Sequence, residues 1–180
     1  FNKSESEDNS SFINYLDIND QNFIKAAYFA HTSNSTPFDE LFPNDLENKI
    51  VLEIGCGLGF HTELLSYRCK KVISIDLSEY AIEVTKKRLQ IKGIKNVDLY
   101  LRSATSIPLE NESVDYVWSW GVIHHIPDSE KVISEIRRIL KKKGSFYGMF
   151  YNKTSIYNWL NVYLRYGLLR IKIFKLSKIE

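Results

Sequence analysis

Cysteine, proline and methionine are scarce in this chain, at two, four and one in 180 residues. Two cysteines do not make a disulfide framework, so Cys56 and Cys69 read as reduced thiols of a cytoplasmic protein. Histidine is also sparse: His31 and His61 lack ligand-like spacing to the His124-His125 pair, and no metal site is expected. No apolar run is long enough to span a bilayer, and no leader-like segment or internal repeat is visible. The first residue is Phe1 and not Met, so a trimmed start is expected. Net charge is only +2, unevenly spread. Residues 141–180 carry nine Lys/Arg against one acid, whereas the first twenty residues carry one Lys against five acids. The basic tail suits either a solvated helix face or an anionic membrane surface, and peripheral membrane contact stays open. With 44% apolar and 26% charged residues, the chain is globular and large enough to bury a core.

What the chain does have is a strand running into a glycine turn. Residues 50–54 read as a short buried strand with Glu53 near its end. Gly55, Gly57 and Gly59 follow at alternate positions, and a helix over 60–68 begins. Glycine lets the backbone turn sharply and lie directly against a ligand. The helix start behind it offers unpaired N–H groups to an anion. The turn is therefore expected to hold a nucleotide-like cofactor.

From there strands and helices alternate. Strands are expected at 72–75, 97–101, 113–119 and 145–150. Ser78 is expected to cap a helix that Gly93 ends, and Asp128 or Ser129 to cap another with Val132, Ile133, Ile136, Ile139 and Leu140 facing inward. This pitch means an α/β fold: a Rossmann-like, doubly wound, mostly parallel sheet of order 3-2-1-4-5. Ligands bind at the switch between strands one and four. Residues 1–45 are read as an N-terminal arm, loose at its start and helical over 12–29, that forms part of the substrate entrance. Residues 46–152 form the cofactor-binding core, and 153–180 a basic amphipathic helix. Tyr15, Tyr28, His31 and Trp159 are candidates for lining the entrance.

Asp76 ends strand two about twenty residues after the first glycine. A carboxylate there can accept both hydroxyls of a ribose, which fits either NAD or S-adenosylmethionine. Glu53 tilts the choice, because an acid before the glycines can receive the ammonium of the second ligand, directly or through water. His124 and His125 follow strand four, where one could take a proton from an acceptor, or cap the loop.

Taken together, Glu53–Gly59, Ile75-Asp76-Leu77-Ser78, Ala104 with Ile107-Pro108, Ser113-Val114-Asp115, His124-His125-Ile126-Pro127-Asp128 and Glu135-Ile136-Arg137-Arg138-Ile139-Leu140 appear in one order. The stretch 49–150 thereby resembles the class I S-adenosylmethionine-dependent methyltransferases, in the branch with ubiquinone/menaquinone-type enzymes. The resemblance implies that Glu53, Gly55, Cys56 and Gly57 line the methionine end of S-adenosylmethionine. It implies that Asp76 binds the ribose and that Leu77 and Ala104 flank the adenine. It also implies that the backbone near Ser119 and Trp120 closes the pocket near the sulfonium. S-adenosylhomocysteine would be the product, and the acceptor a small molecule and not nucleic acid. Ser103 stands where the family often has Asp, so the adenine contact loses a charge. The family adds two further strands after strand five, and none is visible here, so the chain is expected to be a fragment or to depart from the family. A nicotinamide-dependent oxidoreductase, or a binding module that kept the fold, are the alternatives.

Overall fold

The computed structural model describes residues 3–31 and 42–150, with side chains over 8–24 and 42–150. The tail helix, Trp159, most of the connection 33–43 and any strand after 150 lie outside the described residues, as do the side chains of Tyr28 and His31.

Among the described residues five strands form one parallel sheet in the order β3-β2-β1-β4-β5. They are β1 (Ile50–Ile54), β2 (Lys71–Asp76), β3 (Val97–Leu101), β4 (Val114–Trp120) and β5 (Leu140–Met149). Four helices among the described residues accompany them: α1 (Lys3–His31), α2 (Phe60–Ser66), α3 (Glu79–Ile91) and α4 (Ser129–Ile139). A 3-10 turn, Ile123–His125, follows β4. The expected strand order and fold class are therefore present.

Side-chain alternation along the strands sorts the core onto two faces. Leu52 and Ile54 of β1 join Ile73, Ile75 and Val117 against Val132, Ile136 and Ile139 of α4. Val51, Val72, Tyr116 and Trp118 face the other way, toward Leu65 of α2 and toward Phe42 and Leu46. β1 lies at the centre, paired to β2 and β4, and its aliphatic residues are buried on both faces. The parity matters for the site, because Glu53 shares the α2 face with its neighbours Ser74 and Trp118.

Asp128 is the residue that caps α4, its Oδ1 accepting the Lys131 N–H at 3.0 Å. Val132, Ile136 and Ile139 form the buried stripe, while Ile133 is 38% exposed and does not face inward as expected. Asp128→Ala should cost about 1 kcal/mol in a urea titration, the usual worth of a cap. An unchanged midpoint would show the cap to be idle.

Most boundaries lie within about two residues of the sequence reading, and two differ by more. α1 is one 29-residue helix from Lys3, not a loose arm at its start. Within residues 8–24, Asp8, Ser10, Ser11, Asn14 and Asp17 are exposed, while Leu16 is buried at 3% exposure and Lys87 of α3 pairs with Asp8. β5 begins at Leu140 and not at 145, because the strand bulges between the pairs Val114↔Leu140 and Tyr116↔Ser145. The bulge leaves Lys141, Lys142 and Lys143 exposed, and Lys141 Nζ meets Asp115 Oδ1 at 2.8 Å.

Candidate functional site

The chain leaves β1 through Gly55, whose N–H donates to the Ile75 carbonyl at 2.8 Å. Gly55 has φ +83°, and a Cβ there would lie 2.3 Å from Val122 Cγ2. Only glycine fits that handedness and that contact. The turn stands at the carboxyl ends of β1 and β4, where the strand order reverses, and it borders a cavity of about 480 Å³.

Asp76 stands on the wall of this cavity at the tip of β2. Its Oδ2 accepts the Gly57 N–H at 3.1 Å and its Oδ1 the Ser78 N–H at 2.9 Å. Each oxygen keeps a lone pair for a further donor. Leu77 forms a lip beside it, 69% exposed, and Arg102 and Ala104 follow from the end of β3. Gly55, Cys56, Gly57, Trp120 and His125 also line the cavity. Burial pushes the Cys56 thiol up to about 12, so it is a packing group with Thr85 Oγ1 at 3.6 Å, not a nucleophile.

Other expected site residues stand behind the wall. Glu53 is 1% exposed, and its Oε2 accepts both Thr62 Oγ1 at 2.5 Å and Ser74 Oγ at 2.6 Å. Burial pushes its carboxyl up to about 7, against the pull of those two hydroxyls, with Asp76 adding to the rise. Ser103 turns to its own loop: its Oγ is 2.7 Å from Thr105 Oγ1 and accepts the Thr105 N–H at 3.2 Å. Ser119 is buried and donates to the Ile54 carbonyl at 3.4 Å. The rings of His124 and His125 lie 4.1 Å apart, but only His125 reaches the cavity. Burial first, and then His125, hold the His124 imidazole below its ordinary range.

The sequence reading set the N-terminal arm at the entrance but did not single out the residues that line this side of the cavity. Asn19, Asp20 and Phe23 of α1 and Phe60 and His61 of α2 are on its wall. Phe23 packs on Phe60 at 5.3 Å and edge-on to His61 at 5.2 Å. Burial pushes the His61 imidazole down to about 3, so that ring is neutral. The position of His61, two residues past the last glycine, was the available signal. Tyr15 is elsewhere, 40% exposed with its hydroxyl 3.3 Å from that of Tyr80. Among the described residues, no group of His, Cys, Asp and Glu is placed to hold a metal ion, and no helix is long and apolar enough to cross a membrane.

A family model described as a methyltransferase domain matches residues 52–148, more than half of the chain. The chain belongs to that family. It is accordingly a member of the class I S-adenosylmethionine-dependent methyltransferases, and S-adenosylmethionine is the family's cofactor. An uncharacterised methyltransferase of Bacillus subtilis, YcgJ, is 32% identical over 96 residues, covering 53% of this chain and 38% of the relative. Its crystal structure matches with a TM-score of 0.54, over 57% of this chain and 44% of the other. The demethylmenaquinone methyltransferase of Lactococcus lactis is 34% identical over 103 residues, covering 56% of this chain and 41% of the relative. A S-adenosylmethionine-dependent methyltransferase structure from Aquifex aeolicus has 27% identity and a TM-score of 0.54, over 58% of this chain and 56% of that one. The chain thus spans about two fifths of the length of these curated relatives.

The cavity residues fit that cofactor. A Cβ on Gly57 would meet nothing within 4 Å, so the turn has open space above it. An accepting carboxylate lies next to that space, and the volume is in the usual range for small-molecule sites.

Proposed function

We propose that the protein transfers a methyl group from S-adenosylmethionine to a small-molecule acceptor by in-line displacement. The observation that carries this reading is the Asp76 carboxylate beside the open glycine turn, on one wall of the cavity at the strand switch. When bound, S-adenosylmethionine supplies a methyl group on a positively charged sulfur, an already activated donor.

The chain's own share is to bind, orient and exclude water. Asp76 takes the ribose hydroxyls. Gly55, Cys56 and Gly57 line the methionine end, with Glu53 behind the turn as a buried acid that an ammonium group there draws toward its charged form. Leu77 and Ala104 flank the adenine, with Ser103 at the end of the same loop. Trp120 closes the pocket near the sulfonium, with Ser119 buried behind it. Phe23, Phe60 and Trp120 present aromatic surface that keeps water from the acceptor side. Holding an acceptor in line is worth up to roughly 7–11 kcal/mol in well-aligned cases. Where the acceptor must lose a proton, His125 is the imidazole on the wall, with His124 behind it, and such a base adds roughly 10²–10⁴-fold.

Residues 1–45 belong to the entrance and 46–152 to the core, a division supported by Asn19, Asp20 and Phe23 on the wall. The two buried free thiols, Cys56 and Cys69, support a cytoplasmic setting. Titration calorimetry on the full chain tests the cofactor. S-adenosylhomocysteine is expected to bind one-to-one and NADH to give no heat. Binding of NADH in preference to S-adenosylhomocysteine would overturn the reading.

A further inference from the structure

The cavity has two walls from distant parts of the chain, the glycine turn and helix α1. One buried cation, Arg88 of α3, touches both. Its Nε donates to Glu63 Oε2 of α2 at 2.7 Å. Its Nη1 donates to the Leu58 carbonyl at 3.0 Å and to Asp20 Oδ1 at 3.1 Å, and its Nη2 donates to Asp20 Oδ2. The guanidinium side chain is 3% exposed, against 18% for Asp20 and 13% for Glu63. Asp20 and Leu58 line the cavity, whereas Arg88 does not. Gly59 lets the arginine come this close, since a Cβ there would lie 3.1 Å from Arg88 Cδ.

The other polar and ring contacts shown between α1 and α3 are at the surface, although Leu16 of α1 is itself buried. Lys87 Nζ pairs with Asp8 Oδ2 at 2.8 Å and lies 4.5 Å from the centre of the Phe12 ring, and the hydroxyls of Tyr15 and Tyr80 are 3.3 Å apart. Exposed pairs of this kind fasten little. A forked, buried arginine–carboxylate pair is directional, and it is lost steeply when one partner goes. Lysine cannot replace the arginine, because one ammonium cannot serve Asp20, Glu63 and the Leu58 carbonyl in that fork.

We propose that Arg88 is a positioning residue that fastens helix α1 over the cofactor cavity through Asp20, so that cofactor and product exchange only when this contact opens. The gating half rests on the cofactor reading above. The fastening half does not. With the contact open, Asn19 and Phe23 leave the wall together with Asp20, since all three ride on one helix.

Two measurements on the full chain test this: hydrogen exchange of the amides of residues 8–24, and the dissociation rate of S-adenosylhomocysteine followed by tryptophan fluorescence, with Trp120 as the reporter on the wall. In Asp20→Asn and in Arg88→Lys, both rates are expected to rise by about tenfold or more, while Lys87→Gln leaves both within about twofold. A merely stabilising ion pair would lower the thermal midpoint and leave ligand dissociation alone. Faster exchange with an unchanged dissociation rate overturns the gating, and unchanged exchange overturns the fastening. If Arg88→Lys does not fold, Asp20→Asn decides the matter, since it leaves Arg88 its contacts to Glu63 and Leu58. Absence of S-adenosylhomocysteine binding in the unaltered protein would sink the cofactor reading and the gating with it. The exchange measurement would still decide the fastening.

Discussion

Asp76→Ala lowers the affinity for S-adenosylhomocysteine by about 100-fold. The carboxylate would accept two ribose hydroxyls, and hydrogen bonds to a charged group contribute about 1.5–3 kcal/mol each. Part of that is offset by the partial exposure of Asp76, which leaves about 3 kcal/mol, or two orders of magnitude. The turn itself should survive the change. Gly55 N–H still donates to the Ile75 carbonyl at 2.8 Å and Gly59 N–H to the Cys56 carbonyl at 2.9 Å. Only the Gly57 and Ser78 N–H groups lose their side-chain partner, and both are near solvent. Asp76→Asn keeps one accepting oxygen and should fall between the two. Calorimetry, with a thermal melt to confirm folding, reads the effect. An unaltered affinity in Asp76→Ala removes the ribose assignment.

Glu53→Gln changes the slope of stability against pH. Burial holds the Glu53 carboxyl up at about 7 against an ordinary 4.5. Between those values the folded protein binds a proton that the unfolded chain has released. Stability from this group is therefore full below about 4.5 and lost as pH rises through 7. His61 works in the opposite direction. Burial holds it down at about 3 against an ordinary 6.5, so its stability is full above 6.5 and lost as pH falls toward 3. From pH 4.5 to 6.5 the two slopes, each about 1.4 kcal/mol per pH unit, oppose each other. Asp115 and Glu135 are held below their ordinary values, so their losses fall outside this window, at lower pH. His124, also held down, adds the same rise to variant and parent. Glu53→Gln removes the falling component alone. Across pH 4.5 to 6.5 its stability should climb more steeply than the parent's, by about 1.4 kcal/mol per pH unit and about 3 kcal/mol in all. Urea titrations at the two ends of the window measure this. Parallel lines for the two proteins would mean that Glu53 keeps an ordinary carboxyl.

The sheet was legible because its code is local. β1 and β2 are short, largely aliphatic runs, α3 and α4 each have a side-chain cap and buried residues, and the parallel order follows from the alternation of strands and helices. The glycine turn and Asp76 were legible because backbone handedness and spacing to the next strand tip are both written in sequence. The start of α1 was not legible, since its first turns are polar and depend on partners such as Lys87, far along the chain. The early start of β5 was hidden by Lys141, Lys142 and Lys143, which a bulge carries out to solvent. The direction of Glu53 followed from strand parity: its face belongs to α2, so Thr62 and Ser74 reach it first. Ser103 fell off the cavity wall because a threonine two residues on satisfies its hydroxyl locally. The Arg88–Asp20 contact had no signal at all, because two charges far apart in sequence carry no period or motif.

A crystal structure of the full chain soaked with S-adenosylhomocysteine tests the central claim most directly. The account predicts the ribose on the Asp76 carboxylate, the methionine end over Gly55 to Gly57, and Leu77 and Ala104 against the adenine. Density for the ligand anywhere other than this cavity, or a ribose that leaves Asp76 bonded only to the Gly57 and Ser78 N–H groups, would contradict it.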